Sequence, residues 1–215
     1  MGRNVKAERP REKEMNRALL TLAAAALLAM GSAFAQQNQT TQTQPNQPAS
    51  TVGQRAQNQQ DRIANGIDSG QLTAGETRNL ESREANINRE TRDDRAGNNG
   101  HLTAQERQQI SGQQNNLSHS IYQDKHNANQ AHYGNNEVGQ RRENQQDRIA
   151  NGLRNGTMTA GQAARDENRE QGINQQIRGD RAGNGGTLMQ QQHQQINREQ
   201  NGASRQIYRQ KHSGK

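Results

Sequence analysis

The chain contains no cysteine and no tryptophan, and only one phenylalanine, three tyrosines and three prolines among 215 residues. Without cysteine it has no disulfide, no thiolate metal site and no lipid-modified N-terminal cysteine. Large aliphatic side chains are scarce too: after Ala35, leucine, isoleucine and valine together make 18 of 180 residues. So small an apolar fraction lies where chains tend to stay disordered, because little buried surface offsets the conformational entropy. Any fold built from it is expected to be marginal, and a water-excluding catalytic cavity is not expected. No Gly-rich phosphate loop, nucleophile elbow or carboxylate pair in an apolar setting is evident. The reading is therefore non-enzymatic, with no cofactor.

The one long apolar run is Ala18–Met30, inside MNRALLTLAAAALLAMGSAFA. Arg17 precedes it and Ala33-Phe34-Ala35 follows, which is the pattern of a secretory signal cleaved near Ala35. The run is short for a membrane helix, so the mature chain is expected to be periplasmic or secreted, with no span. The polar leader ahead of Met15 suggests Met15 as the initiator. The sequence pI near 10.3 raises nucleic-acid binding, but the leader holds six basic and three acidic residues. What remains is 22 basic and 18 acidic residues, a net charge of +4 with the signs interleaved. With no stacking aromatics along a basic stripe, no nucleic-acid partner is expected.

The dominant positive feature is a duplication. VGQRAQNQQDRIANG (52–66) recurs as VGQRRENQQDRIANG (138–152), DRAGNNGHL (94–102) as DRAGNGGTL (180–188), and IYQDKH (121–126) as IYRQKH (207–212), always 86 residues apart. The organisation reads as leader and signal (1–35), disordered Gln/Asn/Thr/Pro linker (36–51), helical repeat (52–126), hinge (127–137) and second helical repeat (138–215). The expected fold is all-α, two tandem three-helix repeats of marginal stability.

Within the first copy, Ala56, Ile63 and Ile67 share a helix face that stops at Ser69-Gly70. Thr73 with Glu76, and Thr103 with Glu106, form capping boxes that open the second and third helices. Leu80 and Ile87, then Ile110, Leu117 and Ile121, supply narrow apolar stripes. The second copy repeats this with Thr159 and Gln162, but Met189 and Gln192 replace the last box. That final helix is expected to start without either capping partner and to fray first.

Several constellations invite sharper readings. The turn around Gly100 places Asn99 and Glu106 at EF-hand-like offsets, yet Arg95 and Gly97 occupy ligand positions and the second copy has Gln192 in place of the terminal carboxylate. His119 and His126 lie two helical turns apart, but Arg205 stands where His119 recurs. Asn99, Glu106, His119 and His126 are thus weak metal candidates at most. Tyr122 and Tyr208 are expected to close the core with their hydroxyls exposed. The alternative groups Tyr122, Lys125 and His126, with Tyr208, Lys211 and His212, as docking patches. Arg78 with Glu81, and Arg89 with Asp93, read as solvated helix pairs.

At SGQLTAGE (69–76), RAGNNGHLTAQE (95–106) and IYQDKH (121–126), the chain resembles a loosely defined group of small secreted bacterial proteins with SGxLTxxE and DGxLTxxE turns and a terminal IYxxKH. The resemblance implies export and a helical repeat, and carries over no active residue. Asn99 and Gly185 depart from the group's Asp at the second turn. The functional expectation is an exported binding or self-association module of the cell envelope. Its rival is a hydrophilin-like desiccation protectant, suggested by a mean hydropathy of −1.38 and 21 glycines; a weak divalent-metal binder ranks third.

Overall fold

A computed structural model describes residues 51–213; the expected signal and nearly all of the expected linker lie outside these residues. Among the described residues there are six α-helices: α1 (Val52–Asp68), α2 (Ala74–Gly97), α3 (Ala104–Lys125), α4 (Glu137–Arg154), α5 (Ala160–Gly183) and α6 (Gln190–His212). The fold is all-α, with three helices in each copy.

Caps fix where each helix begins. Thr73 and Glu76 each accept, through the side chain, from the other's backbone N–H, as do Thr103 with Glu106 and Thr159 with Gln162. A fourth box lies where the sequence reading placed linker: Thr51 Oγ1 accepts from Gln54 N at 3.2 Å, and Gln54 Oε1 accepts from Thr51 N at 2.8 Å. The start of α6 is better served than expected. Met189 has no oxygen to offer, yet Gln192 Oε1 accepts from Met189 N at 2.8 Å, preserving half of the box.

Leu72 folds back over α1 so closely that a Cβ on Gly66 would lie 2.6 Å from Leu72 Cδ1. Met158 meets Gly152 in the same way, at 2.9 Å. These two glycines thus give the chain room to reverse between helices.

The copies are not beads on a string. The most extensive contacts join α2 to α5 and α1 to α4, each helix meeting its own counterpart in the other copy. That is the signature of a twofold relation, and it is reciprocal in detail. Gly75 faces Gln171, while Gly161 faces Ala85, the position 86 residues before Gln171. Asp68 and Arg154, also 86 apart, form an ion pair across the axis. The described residues, 51–213, accordingly lie in one compact unit.

A core drawn from both copies includes Ile63, Leu80, Ile110, Ile149, Leu153 and Ile207; a smaller cluster in the second copy contains Val138, Ile173, Ile177, Ile196 and Ala203. Each fully buried aliphatic side chain contributes roughly 1.5–3 kcal/mol. Buried glutamines add polar clasps between helices. Gln59 Nε2 donates to Gln114 O at 2.6 Å and to Ser118 Oγ at 2.8 Å, and Gln114 Nε2 donates to Val52 O at 2.9 Å. Gln145, Gln200, Ser204 and Val138 repeat the clasp in the second copy.

The stretch expected to act as a hinge follows a tied path, ending at Asn136, which caps α4. Ala131 N donates to Gly70 O at 2.9 Å, and the side-chain amides of Asn127 and Asn129 donate to Glu76 Oε1. Its Tyr133 is half-buried, with the Arg142 guanidinium 5.2 Å from its ring centroid. This segment is a strap.

Candidate functional site

Two features carry the chemistry of this molecule: a seam of buried carboxyl groups where α2 meets α5, and a pair of exposed tips where α3 and α6 end.

The seam corrects the sequence reading on two counts. Glu81 is not a solvated partner of Arg78; it is fully buried, as are Glu84 and Glu167, with Asp166 and Glu170 at 2% and 1% exposure. Carboxyl groups in an apolar setting therefore do exist. Gln60 Nε2 donates to Glu81 Oε2 at 3.1 Å, and its counterpart Gln146 Nε2 donates to Glu167 Oε2 at 3.0 Å. Asn88 Nδ2 donates to Glu84 Oε1 at 3.3 Å, while both oxygens of Glu170 lack a partner within the described residues.

Burial disfavours the charged form. It raises Glu81 to about 8, Glu84 and Glu170 to about 7, and Asp166 to about 6. Glu167 is also pushed well above the ordinary range, first by burial and further by the neighbouring acids Glu170, Asp166 and Glu81. At neutral pH much of the seam is thus protonated, and Glu81, Glu84 and Glu167 act as hydrogen-bonded core residues. The sequence signal was present. Thr77, Leu80, Glu81, Glu84, Ile87 and Thr91 fall on one helical face, and Glu81 and Glu84 recur unchanged as Glu167 and Glu170.

The tips correct a third expectation. Tyr122 and Tyr208 do not close the core: each is 58% exposed. Tyr122 stacks on His126 with ring centroids 4.2 Å apart, and Tyr208 on His212 at 4.1 Å. Each imidazole is further held by a 2.7 Å contact between Nδ1 and the tyrosine carbonyl one turn earlier. Lys125 and Lys211 lie half-buried, their methylene stems over Gly66 and Gly152, and burial lowers both ammonium groups below the usual lysine range. Tyrosine, lysine and histidine thus come together at each tip in the same arrangement.

The metal candidates are placed differently. Glu106 accepts from Thr103 N at 2.7 Å and from Asn98 Nδ2 at 2.8 and 3.0 Å, so its carboxylate braces the turn. Those backbone and side-chain donors hold it below the usual glutamate range. Asn99 is exposed with φ 53°, His119 is exposed, and His126 is engaged by Tyr122. Among the described residues no group of three His, Cys, Asp or Glu side chains is arranged to hold a metal ion. No described helix is long and apolar enough to cross a membrane.

Comparison with protein-family models, with curated proteins and with solved structures gives no match to this chain.

Proposed function

We propose that the chain is an exported, non-enzymatic helical module that presents two equivalent docking tips to a partner of the cell envelope or to a second copy of itself. The observation that carries this reading is the identical exposure and stacking of Tyr122 on His126 and Tyr208 on His212. Exposed tyrosines held rigid by a neighbour offer contact area at low entropic cost, the property that enriches tyrosine in binding surfaces. Two tips on one body also permit bivalent engagement, in which the second contact benefits from a high effective concentration.

The test is to place a photo-crosslinking side chain at position 122 or 208 of the exported chain and, as a control, at exposed Asn86. Capture of a second copy or of one discrete envelope protein from the tips, but not from position 86, is the predicted result. Equal labelling from all three positions contradicts it. A coil-like circular dichroism spectrum of the exported chain, unchanged with concentration, removes the folded module and favours the protectant.

A further inference from the structure

The twofold body has two corresponding grooves, and among the described residues only one of them has an occupant. The filled groove lies between the α1–α2 turn, the start of α4 and the face of α5. The strap occupies it through the Ala131 bond to Gly70 O and the Tyr133 ring beside Arg142, dividing the remaining space into cavities of about 270 Å³ and about 460 Å³. Its counterpart, bounded by the start of α1, the face of α2 and the α4–α5 turn, is open and measures about 600 Å³.

The walls correspond. Gly156 repeats the positive φ of Gly70, at 63° against 68°, and its carbonyl accepts no hydrogen bond from any described residue. Val52 and Gly53 stand where the filled groove has Val138 and Gly139. Two differences give the open groove its own character. Ala56 replaces Arg142, which enlarges the groove and removes one guanidinium beside α1, while Arg89, whose counterpart is Gln175, joins Arg92 and Arg95 to gather three guanidinium groups along the α2 wall. None of these three arginines makes an ion pair among the described residues.

We propose that the open groove binds a non-helical segment of another polypeptide, seated as the strap is seated and carrying an aromatic side chain flanked by carboxylates. The Gly156 carbonyl calls for a backbone N–H, the space beside Ala56 for a ring, and the arginine wall for negative charge. The chain's own N-terminal segment does not supply these in register. The 86-residue offset aligns Pro45 with Ala131 and Gln47 with Tyr133; proline has no N–H to donate and glutamine no ring. This surface is distinct from the two tips, and its test does not involve them.

The probes are a labelled peptide of residues 127–136 and the same peptide carrying Gln130→Glu and Asn135→Glu, titrated against the exported chain. Both are predicted to bind, the acidic one about tenfold tighter at low salt. Ala56→Trp is predicted to weaken both at least about tenfold. Arg92→Glu combined with Arg95→Glu, at exposed positions that leave the core intact, should abolish the acidic advantage. The absence of binding, or binding indifferent to all of these substitutions, overturns the proposal. So does binding that emerges only when residues 36–50 are replaced by a glycine–serine tract of equal length, because the natural occupant is then this chain's own segment.

Discussion

Glu81 shows how a residue can be placed in a core against its intrinsic preference and still be compatible with folding. Burial raises it to about 8, so it enters the core largely uncharged at neutral pH, with Gln60 donating to one oxygen. Glu84 and Glu170 are raised less far, to about 7, and so are about half-protonated at neutral pH. An acid whose folded pKa exceeds its unfolded value near 4.5 binds more protons when folded. Its stabilising contribution is complete below about pH 4.5 and is lost as pH rises through the folded value near 7–8. Thermal unfolding should therefore show higher stability at pH 5 than at pH 8. The slope is on the order of 1 kcal/mol per pH unit for each titrating group in that window. Glu81→Gln keeps the shape and cannot ionise; it should raise the melting temperature at pH 8 and flatten the profile. A profile unchanged by the substitution contradicts the placement of Glu81. Its burial was not read from the sequence because glutamate ordinarily faces solvent, even where its spacing places it beside an apolar stripe such as Leu80 and Ile87. The helical face that Glu81 and Glu84 share with Leu80 and Ile87, and their recurrence as Glu167 and Glu170 while Arg78 and Asp93 give way to Ala164 and Gly179, hinted at a different role.

Helix boundaries were far more legible, and the reason is local. A threonine followed three residues later by glutamate or glutamine satisfies two orphan donors without help from the rest of the fold, so Thr73, Thr103 and Thr159 mark starts wherever they occur. The Thr51 box was missed because Val52 follows a polar tract with no apolar period to announce a helix. The strap was missed because its bonds, from Ala131 to Gly70 and from Asn127 to Glu76, join residues tens of positions apart. Among the six helices, α6 has the weakest start, with Gln192 bonding back and nothing capping forward. Met189→Thr restores the box of the first copy and should stabilise the protein by about 1 kcal/mol, measured by denaturant midpoint at unchanged m-value. No gain would mean that the terminus is already satisfied by other means.

For the molecule as a whole, the strap and the twofold pairing decide whether two weak cores behave as one. Each copy alone is poor in aliphatic side chains, and the second is poorer, with Asp166 in place of Leu80 and Ala203 in place of Leu117. Pairing α1 with α4 and α2 with α5 makes one copy the cover of the other. The strap locks the arrangement at Gly139, where a Cβ would stand 2.0 Å from the Tyr133 carbonyl oxygen. Gly139→Ala must displace backbone, and is predicted to cost 1–3 kcal/mol, about the range for overpacking, and to expose Tyr133 to fluorescence quenching. The most direct test of the twofold body is native-state amide exchange. Ile63 and Glu81 in the first copy and Ile149 and Glu167 in the second are predicted to exchange only through one global unfolding event, with a common free energy. Exchange of the two sets at clearly different free energies, or the absence of slow protons at both, contradicts a single interlocked body.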